Sequence, residues 1–246
     1  MNDFDRQKYN YSQPDAWAQE GGARPLQPQT AGEVSVAERV AFIRKVYALF
    51  FAATLFAIGG VGLGFAFPPL MLAAAQHPWI MFFLMIGGVM GAQALRHVPG
   101  LNLVALFGFT TLTGVVISPV IFFFGRTNPT SIIEALALTI GIFGGLTAYV
   151  FLSNRDFSFM RGMVTVGLIV VVLASLFNVI VVGSLGFGFA ISVAVLLLFS
   201  GFVLYDTSNI IRRYPTNEYV AGAMDLYLDA FNMFLALLRI LNAGRR

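Results

Sequence analysis

The sequence predicts an all-α integral membrane protein with seven transmembrane helices. Three observations predict it. Of 246 residues, 58% are hydrophobic and only 11% charged, whereas a soluble domain carries about 25% charged residues to coat its surface. Apolar runs long enough to cross a ~30 Å hydrocarbon core, about 20 residues each, recur along the chain. The connections between them are short, which makes neighbouring helices antiparallel.

Residues 1–33 form a polar segment containing Pro14, Pro25 and Pro28. It has too little apolar surface to order itself and lacks the apolar run of a signal peptide. It is therefore expected to be a disordered cytoplasmic tail, with residues 34–246 forming the transmembrane domain. The spans are expected at about 46–67, 79–95, 101–124, 132–152, 163–183 and 187–205. A seventh, about 220–241, is weaker because Asp225 and Asp229 lie inside it. Ser131-Ile132-Ile133-Glu134 fits a capping box opening the fourth span, which makes Glu134 structural. Arg39, Arg44, Lys45, Arg96, Arg155, Arg161, Arg212 and Arg213 fall on the amino-terminal side, and only Arg126 falls in the three opposite loops. That asymmetry places the amino terminus in the cytoplasm. Arg245 and Arg246 sit on the wrong side if the seventh segment crosses fully. Full crossing is expected, and a re-entrant segment is the alternative.

Composition excludes several chemistries. There is no cysteine, hence no disulfide, thiolate nucleophile or Cys-type zinc site. The two histidines, His77 and His97, fall at opposite ends of a span, which leaves no histidine cage for a metal. The excess of basic residues orients a membrane protein, and no nucleic-acid partner is expected. Gly59-Gly60-Val61-Gly62-Leu63-Gly64 lies inside an apolar run, away from the strand–turn–helix setting that a dinucleotide site needs. Gly60 and Gly64 instead have the spacing of close helix packing, and Gly141 and Gly145 repeat it. Ser200 has no histidine in any span to act as its base.

Acids inside a span cost about 2.5–3.5 kcal/mol each on insertion scales and usually mark ion or proton paths. Asp206 lies toward the end of the sixth span. Asp225, Asp229 and Asn232 follow the i, i+4, i+7 spacing of one helix face. Antiparallel packing of the last two helices brings Asp206 level with that face. Two carboxylates ~4 Å apart, at an effective dielectric of ~20, repel by about 4 kcal/mol, so such a pair shares one proton. It can then respond to pH, bind a hard cation such as Ca²⁺ through oxygen, or activate water. The structural alternatives are that Asp206 pairs with Arg212 or Arg213 and that Asp225 faces water.

Phe202-Val203-Leu204-Tyr205-Asp206-Thr207-Ser208, followed by Leu226-Tyr227-Leu228-Asp229-Ala230-Phe231-Asn232-Met233-Phe234, resembles the signature of the Bax inhibitor-1 (transmembrane Bax inhibitor motif) family. Pro99-Gly100-Leu101-Asn102, opening the third span, agrees with it, and the resemblance covers about residues 35–246. It implies seven helices with a central one wrapped by the others. It also implies a pH-sensitive Ca²⁺ leak governed by a di-aspartyl pair, here Asp206 and Asp229, which would also be the Ca²⁺ ligands. A second-helix arginine latches one aspartate in the family; Arg96 is the basic residue at that span's end, although its local frame is offset. Asp225 is an extra acid relative to the pattern and a modifier of the pair.

The leading expectation is thus a passive, proton-modulated Ca²⁺ pathway with no resident cofactor and no catalytic residue. The lean loops favour a bacterial inner membrane. A second reading is a regulator acting by contact on a membrane protease or on cell-death machinery, with the tail as docking element. A third is an intramembrane aspartyl hydrolase: Tyr205-Asp206 is similar to half of that motif and two acids sharing a proton suit the chemistry, but the Gly-x-Gly-Asp half is absent.

Overall fold

The computed structural model describes residues 29–153 and 155–243, which are overwhelmingly helical. Among the described residues the only β pairing is a single antiparallel bridge between Thr30 and Pro215. The helices are α1 (Val36–Ala66), α2 (Pro68–Gln76), α3 (Pro78–Leu95), α4 (Leu101–Thr127), α5 (Pro129–Ser153), α6 (Arg161–Phe177), α7 (Leu185–Arg212) and α8 (Tyr219–Ala243). A 3₁₀ turn, Ser158–Met160, leads into α6, and a π-helical turn, Asn178–Val182, follows it.

Among the described residues, six segments are long and apolar enough to cross a membrane: α1, α3, α4, α5, α7 and Ser158–Val182, which contains α6. Their outward faces are strongly apolar. Ile80, Phe83 and Met90 on α3 are exposed, as are Val166, Ile169, Val170 and Leu173 on α6. In water such continuous surfaces would drive aggregation; hydrocarbon covers them at no cost. The chain is an integral membrane protein.

Local chemistry moves several expected boundaries. α1 starts about ten residues before the expected 46. Ser35 and Glu38 form a reciprocal capping box at its start, and its 31 residues span about 46 Å at ~1.5 Å per residue. The helix is longer than the hydrocarbon core, so its charged first turns stand outside. The linker around residues 68–76 is a short helix rather than a loop, with proline in the first turn, as α3 also has. Such prolines start helices because their fixed φ is already helical and their missing N–H needs no partner.

The Ser131–Glu134 capping box is a misreading. Pro129 begins α5 earlier, so Ser131 is a first-turn residue whose hydroxyl donates to the Asn128 carbonyl at 2.7 Å. Residues 29–33, assigned to the tail by composition, are tied by backbone hydrogen bonds to Arg212–Thr216. The ordered fold therefore begins before residue 34. The remainder of the expected tail, residues 1–28, lies outside the described residues.

α1 and α4 pack most closely through glycine. A Cβ on Gly60 would lie 2.1 Å from the Thr111 carbonyl oxygen, and one on Gly114 would lie 1.9 Å from that of Ala57. Gly64 faces Ser118 as closely, whereas Gly141 and Gly145 border open space and hold no helix contact. The small-residue spacing thus marks a real interface on α1 and only a coincidence on α5.

α8 lies against α1, α4, α5 and α7. Its Ala223, Leu226 and Met233 are fully buried in a core shared with Val46, Ala53, Leu106 and Val203. At its start Glu218 approaches His97 in the α3–α4 turn, with Nδ1–Oε1 at 3.5 Å. At its far end the Asn242 amide donates to Ser131 Oγ at 3.0 Å, and its Oδ1 accepts from Asn128 at 3.2 Å, at the α4–α5 turn. α8 therefore reaches from one end of the bundle to the other.

Candidate functional site

The site is built where α7 and α8 run antiparallel. Asp206 lies six residues before Arg212, the last residue of α7, and Asp229 ten residues after Tyr219, the first of α8. At ~1.5 Å per residue these are depths of about 9 Å and 15 Å from the shared end. α8 starts at Tyr219, within one residue of the expected 220. Asp206 is 9% exposed and Asp229 2%, and their carboxyl groups lie close enough to act on each other. Two carboxyls bond to each other only through a proton, since ionised carboxylates accept and cannot donate. Asp229 Oδ2 is buried with no hydrogen-bond partner among the described residues.

Asp225 is half-buried one turn away. Its Oδ2 accepts a hydrogen bond from the Tyr214 hydroxyl. Asp206, Asp225, Asp229 and Asn232 all line one cavity of about 240 Å³ between α6, α7 and α8, whose apolar walls are Leu168, Phe199, Phe202 and Leu228. The i, i+4, i+7 face of α8 does open on one space, and Asp206 faces the same space from α7. Asn232 donates its amide to the Leu228 carbonyl at 2.8 Å, which leaves its side-chain oxygen as the group it can offer the cavity. The cavity has room for several waters. Among the described residues no three acidic or histidine side chains converge as a closed metal cage.

The basic residues sit elsewhere than the sequence suggested. Arg213, a proposed partner of Asp206, instead bonds Asp156 Oδ2 at 2.6 Å and Ser158 Oγ at 2.8 Å. Together with the Ser158 N–H, which donates to Asp156 at 2.9 Å, Arg213 holds the Asp156 carboxyl down at about 2. Arg96 caps the end of α3, with its Nε donating to His97 Nε2 at 2.9 Å. The expected latch thus lies at the end of α3 beside the first turns of α8, lining a small pocket with Val220, Ala221 and Met224.

Tyr214 was missed from sequence. It stands in the short linker Arg213–Glu218, next to Pro215, and nothing in an apolar frame marks it. The available signal was an aromatic hydroxyl in the polar turn joining two acid-bearing helices.

Comparison with known proteins agrees on one group. A family model described as Inhibitor of apoptosis-promoting Bax1 matches residues 39–246. An uncharacterized protein of Campylobacter jejuni is 38% identical over 82% of this chain and 88% of its own length. Bax inhibitor 1 of Schizosaccharomyces pombe is 33% identical, covering 82% of this chain and 76% of that protein. Protein lifeguard 4 of Mus musculus is 33% identical over 85% of this chain and 87% of its own.

Proposed function

The chain belongs to the Bax inhibitor-1 family, and from that premise we propose that it is a proton-modulated Ca²⁺ leak pathway of a bacterial inner membrane. The observation that carries the reading is the meeting of the Asp206 and Asp229 carboxyls, from two helices, at a shared cavity inside an apolar bundle. Seven helices cross in this proposal, the amino terminus is cytoplasmic, and α8 is the central helix. The span of α8 from the α3–α4 turn to the α4–α5 turn supports its crossing. Its acids lower its hydropathy but point into protein, where such residues are tolerated.

With the pair sharing a proton, Asp206 and Asp229 hold α7 and α8 together and present little charge. Loss of that proton sets two carboxylates against each other, loosens the contact and turns their oxygens toward the cavity. Ca²⁺ takes six to eight oxygen ligands. The pair and the Asn232 oxygen can supply some of them and water the rest, and weak partial coordination lets an ion leave as well as bind. Arg96 acts on this pathway through Asp225.

The test is Ca²⁺ uptake by liposomes holding the purified protein, measured over a pH series against protein-free liposomes. Uptake above the lipid background that changes with pH in the wild type and loses its pH response in Asp206→Asn with Asp229→Asn is expected. Unchanged flux and pH response in that double variant would overturn the proposal.

The name of the fission-yeast relative, Bax inhibitor 1, favours a second reading: control of another membrane protein, such as a protease, by contact. It is compatible with the first. Deleting residues 1–28, which leaves the segment bonded to Arg212–Thr216 in place, should then weaken a partner pull-down, and an unaffected pull-down removes the tail as docking element.

A further inference from the structure

Residues Gln29–Gly32, ahead of α1, run antiparallel to the turn that joins α7 to α8. The Ala31 N–H donates to the Tyr214 carbonyl at 2.8 Å and the Gly32 N–H to the Arg212 carbonyl at 3.1 Å. In return the Thr216 N–H donates to the Gln29 carbonyl at 3.2 Å. Arg39, in the first turns of α1, secures the segment from its other side. Its Nε reaches the Ala31 carbonyl at 2.7 Å and its Nη2 the Gly32 carbonyl at 2.9 Å. Ala31 is fully buried, and a Cβ on Gly32 would come within 2.6 Å of the Arg212 oxygen. The approach is close enough to require glycine.

The turn held in this way carries Tyr214. Its own N–H is fixed to the Asn209 carbonyl at 3.0 Å, and its hydroxyl is bonded to Asp225. Asp225 in turn lines the acid cavity. A continuous series of contacts therefore runs from Arg39 through Ala31 and Tyr214 to Asp225. The Ala31–Tyr214 contact joins the two ends of the chain, and none of the three is needed to close a helix. The segment also precedes the first span, where tension or a binding partner can act without crossing lipid.

We propose that Gln29–Gly32 is a strap that holds the α7–α8 turn closed at its end of the acid cavity, with Tyr214 carrying the restraint to Asp225. Access to the acids from that side is then set by the chain ahead of α1. The idea rests on reading the cavity as an ion path, but its structural half can be tested without any ion.

The chain contains no cysteine, so Leu228→Cys places a single thiol in the cavity wall. The protein is reconstituted in liposomes, and a charged, membrane-impermeant methanethiosulfonate is added on the side of the α7–α8 turn. Its reaction rate is compared with and without Arg39→Ala, Gly32→Val or Tyr214→Phe. Arg39→Ala and Tyr214→Phe should each speed labelling about tenfold, as expected from loss of a charge-assisted hydrogen bond, and Gly32→Val should speed it by forcing the segment off the Arg212 carbonyl. Tyr214→Phe should add little on top of Gly32→Val, because the two cut one series. Arg39→Ala and Tyr214→Phe each remove one side chain's hydrogen bonds, so the test survives a misfolded Gly32→Val. Unchanged labelling in both overturns the strap, even if Ca²⁺ passes through the wild type. Faster labelling supports it; if Ca²⁺ uptake in the same vesicles stays at the lipid background, the strap stands and the ion-path reading fails.

Discussion

Alanine substitution along the glycines of α1 should change sign within one helical turn. In a helix interior Gly→Ala gains about 1 kcal/mol of propensity, and Gly59 and Gly62 border open space, so Gly59→Ala and Gly62→Ala should stabilise by up to that amount. Gly60→Ala meets the Thr111 carbonyl oxygen at 2.1 Å and the Gly114 Cα at 3.1 Å. An ordinary contact there requires α1 and α4 to separate by about 1 Å, and overpacking of this kind costs typically ~1–3 kcal/mol. The upper end applies, because the obstacle is backbone and cannot rotate away. The expected gap between Gly60→Ala and Gly62→Ala is therefore about 3 kcal/mol. Gly114→Ala should behave like Gly60→Ala, since its Cβ would meet the Ala57 oxygen at 1.9 Å. Gly64→Ala should fall between, because its obstacle is the Ser118 side chain. The assay is reversible unfolding in mixed micelles, comparing midpoints. Equal stability of Gly60→Ala and Gly62→Ala would refute the packing argument.

Three further outcomes follow from the same contacts. Arg96→Ala should alter Ca²⁺ uptake in the wild type and have no further effect in an Asp225→Asn background; an equal effect in both backgrounds removes the Arg96–Asp225 coupling. Asn242→Ala removes the amide that joins the end of α8 to Ser131 and Asn128 and should cost about 1–2 kcal/mol in the same micelle assay, with a neutral result showing that the far end of α8 is not fastened there. Asp156, held at about 2 against an ordinary 3.8, contributes stability that is complete above 3.8 and lost as pH falls through about 2. It is largely exposed, so the contribution is small. Asp156→Asn should flatten the acid side of the stability curve, and an unchanged acid slope contradicts this.

Six spans were legible because hydropathy alone marks a segment that must face lipid. The segment of α8 was faint because Asp225 and Asp229 lower its hydropathy, and it is not among the six apolar segments found among the described residues. The i, i+4, i+7 spacing placed Asp225, Asp229 and Asn232 on one face, and all three do line one cavity. Periodicity could not show which cation faces which acid. Arg213 and Arg96 both lie at helix ends, where Arg213 bonds Asp156 and Arg96 bonds its neighbour His97. Tyr214 and the Gln29–Gly32 segment were illegible for another reason: backbone hydrogen bonds leave no residue signature. Ser131–Glu134 had the right letters for a cap, but Pro129 starts the helix two residues sooner.

The central claim is that Asp206 and Asp229 act as one proton-controlled unit. Its most direct test is a double-mutant cycle on the pH dependence of Ca²⁺ uptake in liposomes, using Asp206→Asn, Asp229→Asn and the pair. A shared proton needs both carboxyls, so each single variant is expected to abolish the pH response as completely as the double. Additive effects, or a single variant that keeps the wild-type pH response, would contradict the account.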